Sequence, residues 1–177
     1  MLPKFAWGCN KNKTKVVLSC FALALTVLSG CANIRIQPKD PELIALGSFA
    51  DQVTLHLFEM NPSTYEQYQG MLDKDLDPAL LTQLRSKGGC AKSKEQVKQA
   101  IQTMTKTNSR ALIHIESTTF PSTATPQGLV PIEVQGTSVK TEKDISRASK
   151  FDVIYMIGTN VKTKQPLVAS FEIKKFD

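Results

Sequence analysis

The sequence predicts an α+β fold: four helices followed by a curved four-stranded antiparallel sheet. Over residues 41–107 the apolar side chains recur at spacings of three and four, the period of an amphipathic helix. After Asn108 the spacing falls to two, with Ala111, Ile113 and Ile115 alternating against Leu112, His114 and Glu116. Turn-forming residues then separate the apolar runs at short intervals, as hairpin-linked neighbours require. Helices first and strands second place the helices on one face of the sheet.

The first helix is expected over residues 41–60. Asp40 caps it, Pro41 occupies its first position and Glu42 its first turn. Leu43, Leu46, Ala50, Val53, Leu57 and Met60 form its apolar face, widened by Ile44, Phe49 and Phe58. A face that broad suits a sheet curling around the helix. Asn61-Pro62 stops it, and Ser63 with Glu66 offers a capping box for a short helix ending at Gly70. Asp77-Pro78 starts a third helix through Leu80, Leu81 and Leu84, closed by Gly88-Gly89. Ser93 and Gln96 cap a fourth, with Val97, Ala100, Ile101 and Met104 as its stripe.

The first strand runs to Phe120, and a Pro/Ser/Thr-rich loop follows over residues 121–128. The second strand spans 130–141, broken near Gly136. Residues 143–150 read as a polar turn. Phe151, Val153, Tyr155 and Ile157 make the third strand, and 160–165 a solvated hairpin turn. Leu167, Ala169, Phe171 and Ile173 are the expected inward set of the closing strand, which Pro166 begins.

The chain has 177 residues, enough for one domain with a sizeable core. Nine Gly and nine Pro exclude a collagen-like chain. Its 22 Lys+Arg against 16 Asp+Glu give +6, but the four lysines of residues 1–30 stand there without any acid. Setting them aside leaves 18 basic and 16 acidic residues, or +2, so no nucleic-acid partner is expected.

Those first residues carry an address. Lys11, Lys13 and Lys15 precede an apolar run over 16–28, then Leu28-Ser29-Gly30-Cys31. A basic start, a short apolar run and small residues before a cut describe a secretory signal. The run is shorter than the roughly 20 apolar residues of a membrane span. Leu28-Ser29-Gly30-Cys31 resembles the lipobox of bacterial lipoproteins, which implies lipidation of Cys31. The alternatives are a signal peptide with an incidental Cys31, or an uncut signal anchor. Ala32 after the cysteine implies, by the same resemblance, the outer membrane. The expected organisation is a signal peptide over 1–30, a lipid-anchored tether over 31–39 and a periplasmic domain over 40–177. Cys9 and Cys20 then leave with the signal, and Cys90 remains as a lone thiol, buried or paired between chains.

The element order resembles the nuclear-transport-factor-like (cystatin-like) cone. In detail it is similar to the periplasmic assembly-factor domains of type IV secretion and conjugation systems. The matching stretches are Phe58-Glu59-Met60-Asn61, Tyr65-Glu66-Gln67-Tyr68, Asp77-Pro78-Ala79-Leu80-Leu81 and the two closing strands over 151–176. Those relatives are anchored by an inner-membrane helix, whereas Cys31 implies a lipid anchor here.

Catalytic candidates are sparse. His56 follows Asp51 by five residues, which puts the two on different helix faces. His114 falls opposite Ile113 and Ile115 and should face solvent or an interface. No GxSxG, HExxH, phosphate loop or GxGxxG is present in the sequence. No catalytic residue, metal site or cofactor is therefore expected. Lys92, Lys94, Lys98, Lys106 and Arg110 read as a solvated helix face, and Lys162 and Lys164 as a turn. Lys174 and Lys175 end a strand at or near the sheet edge, where lysine discourages stray pairing. Tyr65 and Tyr68 read as packing residues. The expectation is a non-enzymatic scaffold or assembly subunit, held by lipid to the periplasmic face of the outer membrane and bound to other subunits of a secretion complex. The alternative is a small-ligand binding protein or sensor using a cone-shaped pocket. An interior filled by Phe49, Val53, Tyr155 and Phe171 would favour the first, an open polar cavity the second.

Overall fold

The computed structural model describes residues 40–120 and 124–176; the signal and tether segments, Cys31 included, lie outside the described residues. The elements run α1 (Pro41–Phe58), α2 (Tyr65–Asp75), α3 (Pro78–Lys87) and α4 (Lys94–Thr107), then β1 (Arg110–Thr119), β2 (Val130–Glu142), β3 (Ile145–Thr159) and β4 (Pro166–Phe176). The strands form one antiparallel sheet in the order β1-β2-β3-β4, leaving β1 and β4 as its edges.

The helix starts follow their caps. Asp40 Oδ1 accepts from the Glu42 amide at 2.8 Å, and Asp77 Oδ1 from the Ala79 amide at 2.8 Å. Ser93 Oγ accepts from Gln96 N, and the Gln96 side chain reaches back to Lys92 N at 2.7 Å, one residue earlier than a standard capping box. At the second helix the expected box does not form. Asn61 Oδ1 instead accepts from both the amide and the hydroxyl of Ser63, and α2 starts after Thr64 without a side-chain cap.

Two helix ends differ from expectation. α1 stops at Phe58 because Met60 pairs with the edge of β1, giving N–H to Ala111 O at 2.9 Å and accepting from Ala111 N at 2.7 Å. α2 runs through Gly70 to Asp75, since Gly70 is exposed and its neighbourhood is empty. A glycine there weakens the helix without breaking it. What stops α2 is Leu76, buried and bridged to Val168 beside the Asp77-Pro78 cap.

The sheet departs at three places. β2 is continuous through Gly136, which pairs with Ile115 on one side and Phe151 on the other. The Phe151 ring fills the space a side chain would need, so the glycine marks a close approach rather than a break. The expected turn over 143–150 shrinks to Lys143 and Asp144, both with positive φ, and β3 begins at Ile145. Two consecutive left-handed residues are the hairpin turn that matches strand twist. In β4 a register shift opposite Met156/Ile157 reverses the alternation. Val168, not Leu167 or Ala169, is fully buried, while Phe171 returns to the inner face and Ile173 is exposed.

The core lies between α1 and the inner sheet face. Ala50 and Val53 meet Ile132, Val134, Val153, Tyr155, Ile157 and Val168, with Leu72, Leu76, Leu81 and Cys90 extending it under α2 and α3. Burying each large apolar side chain there contributes about 1.5–3 kcal/mol. Ile44 does not join this face; it is exposed.

Candidate interaction surface

α1 reaches the sheet through polar contacts as well as packing. Thr54 is fully buried, donates to Ala50 O at 2.8 Å, and lies 2.9 Å from Tyr155 Oη. One hydroxyl proton serves one acceptor, so the phenol supplies the proton for the second bond. Burial pushes the Tyr155 phenol far up, and the Asp51 charge adds to this. Asp51 is held by the Thr118 hydroxyl of β1, and burial raises its carboxyl above the usual range against the opposing effect of that bond.

Asp51 and His56 do not meet. His56 Nδ1 lies 2.6 Å from Asp75 Oδ2 of α2, and its ring sits 5.0 Å from Tyr68. Both partners keep 14% of their side-chain surface exposed, so the pair pins α1 to α2 at a half-open seam. Among the hydrogen bonds of the described residues none brings a third polar side chain to it, as nucleophile activation requires. Tyr65 packs near Cys90, whose thiol is buried and pushed up by that burial. Cys90 thus takes the buried alternative. Among the described residues no three His, Cys, Asp or Glu side chains gather as metal ligands.

Among the described residues no helix covers the opposite face of the sheet. His114 is exposed there, as the strand alternation requires. Glu116 on β1 binds Lys150 of β3 and accepts from Thr137 of β2 at 2.6 Å. Glu133 of β2 takes Lys174 of β4 at 2.8 Å, reaching across β3, and accepts from Thr119 at 3.3 Å. The Lys174 ammonium holds the Glu133 carboxyl below the usual range. Asp152 lies beside it on β3, 3.3 Å from Gln135 Nε2; burial, then the Glu133 charge, push its carboxyl up. Lys174 therefore binds across the sheet face as well as lining an edge. The exposed lysines of α4, and Lys162 and Lys164, sit at solvent as expected.

The edges are only partly closed. β1 is capped at Ala111 by Met60, and β4 at Val168 by Leu76 and the Asp77 amide, 2.9 Å from Val168 O. β1 follows β2 as far as Thr141, but β4 pairs with β3 only from Phe151 onward, so the hairpin arm outruns β4 alone. Sequence periodicity missed this arm because residues 145–150 are mostly exposed and carry no apolar alternation. The signal that could have found it was the Lys143-Asp144 pair inside an otherwise strand-compatible stretch.

No family model matches the chain, and no curated protein matches it. Among solved structures, the intermembrane-space region of the chloroplast protein ARC6 is similar over 77% of this chain and 98% of that one, at 9% identity and a TM-score of 0.44.

Proposed function

We propose that this chain is a lipid-anchored scaffold on the periplasmic face of the outer membrane, an assembly subunit of an envelope-spanning complex of the type IV secretion or conjugation kind. The address comes from the signal-like residues 1–30 and the lipobox-like cysteine, Cys31. The machine comes from the resemblance in element order. The observation that carries the contact role is the one-sided sheet: helices occupy its inner face, while among the described residues nothing covers the outer face or long stretches of edge. Strand edges present unpaired N–H and C=O groups that recruit partner chains.

The interior supports contact over ligand storage. Val53 and Tyr155 are fully buried, and Phe49 and Phe171 pack against the same core, so the positions a cone pocket would use hold side chains. Lipid at Cys31 would fix height above the membrane, because buried acyl chains anchor stably when two or more are present. Cys31→Ser tests the address. The wild-type N-terminus should carry acyl chains by mass spectrometry and fractionate with the outer membrane, and the variant should lose both. A wild-type N-terminus without acyl chains overturns the anchor.

A further inference from the structure

Residues 145–150 of β3 lie beyond the end of β4, whose Phe176 pairs with Phe151. On the β2 side they are fully paired, from Ile145↔Glu142 to Lys150↔Thr137. On the other side no described residue pairs with them. Alternate residues of an antiparallel strand turn both N–H and C=O outward, so this edge offers hydrogen bonds in strand geometry. It is also apolar at both ends: Ile145 is 62% exposed and Phe176 36% exposed.

The arm has a charged side. Residues of even number on β2 and odd number on β3 share the inner face, and beyond the helices they enclose a cleft of about 430 Å³. Its lining is Lys140, Glu142, Lys143, Ile145, Arg147 and Ser149, three cations to one carboxylate. The ion pairs of the described residues use none of those three cations. Lys140 rests its ammonium 5.3 Å from the Phe176 ring, and Asp144 at the tip is engaged by Asn108 at 2.7 Å.

We propose that the unpaired edge of β3 at residues 145–150 receives an extended, acidic segment of a partner protein as an added antiparallel strand in line with β4, its carboxylates meeting Lys140, Lys143 and Arg147. Charge selects this occupant. A second copy offering the same arm would set Arg147 and Lys143 against their own kind. The tether over 31–39, which stays after the signal is removed, carries Arg35 and Lys39 and no acid, so its charge does not match the cleft either. An acidic strand gains backbone pairing from the edge and selectivity from the cleft. The proposal rests on the scaffold reading and names the chemistry of its partner.

The test uses the full chain, purified from membranes in mild detergent. The probes are a short peptide alternating valine and glutamate and its valine–lysine counterpart. Amide hydrogen exchange is read residue by residue. The acidic peptide should slow exchange at alternate amides of 145–150 and leave 170–176 unchanged; the basic peptide should do neither. Lys143→Glu/Arg147→Glu, both exposed positions, should keep the far-ultraviolet spectrum, weaken the acidic peptide by about ten-fold and admit the basic one. Equal binding of both peptides, or protection at 170–176 instead, overturns the proposal. So does protection without peptide: lost on dilution it assigns the edge to a second copy, and kept on dilution to this chain's own residues. Native gels of solubilised envelopes separate the two readings. A large complex with an arm that ignores the acidic peptide sinks only this proposal, and a lone monomer whose arm binds it sinks only the scaffold.

Discussion

Gly136→Ala should be among the most damaging single-methyl changes in the domain. Gly136 sits mid-strand in β2, opposite Ile115, where the β1 register shifts. An added Cβ would fall on the backbone carbonyl oxygen of His114 and lie 2.7 Å and 2.8 Å from two ring carbons of Phe151. The ring is held in turn against Phe176, 6.1 Å away. The carbonyl belongs to a paired strand, so relief requires β1 to move. Overpacking of this sort costs about 1–3 kcal/mol, and the backbone clash puts this site near 3 kcal/mol. With a urea slope of about 1.5 kcal/mol/M, the unfolding midpoint should fall by about 2 M. Phe151→Leu in the same chain should recover part of the loss, giving a double variant less destabilised than the two single costs added together. A Gly136→Ala midpoint equal to wild type, or a purely additive double variant, refutes the close approach.

Val53→Ala removes two fully buried methyl groups and should cost about 2–3 kcal/mol in urea unfolding; a loss under about 0.5 kcal/mol would mean α1 does not pack on the sheet. Ser138 Oγ is buried and has no hydrogen-bond partner among the described residues, so Ser138→Ala should raise stability by about 1 kcal/mol, and a loss of that size would contradict its isolation. Asp51, whose folded carboxyl is raised by burial, favours folding fully below its unfolded value and loses that contribution as pH rises through the folded one. Asp51→Asn keeps an acceptor for Thr118, so its stability relative to wild type should climb from acid to neutral pH; a flat difference refutes the burial effect.

The element order was legible because caps and periods are local. Asp40, Asp77 and Ser93 accept the expected amides, and the inward residues of β3 are those its alternation named. The errors arose where distant contacts decide. Met60 leaves α1 to pair with β1, and Val168 displaces Ala169 from the interior because a bulge resets β4. Glycine misled twice in opposite ways: Gly70 is tolerated inside a helix, and Gly136 is required inside a strand. Of the candidate surface, the exposure of His114 was readable, whereas the reach of Lys174 across β3 to Glu133 was not. The His56–Asp75 pair was not, since its partners are 19 residues apart and meet only through α1–α2 packing.

The scaffold claim comes most directly to test in the native mass of the protein in its own envelope. Membranes solubilised in mild detergent are separated on a native gel, and the chain is located by antibody. The expected result is migration with a large assembly that dissociates when the Cys31→Ser form replaces the wild type. Migration of the wild-type chain as a lone monomer under those conditions would contradict it.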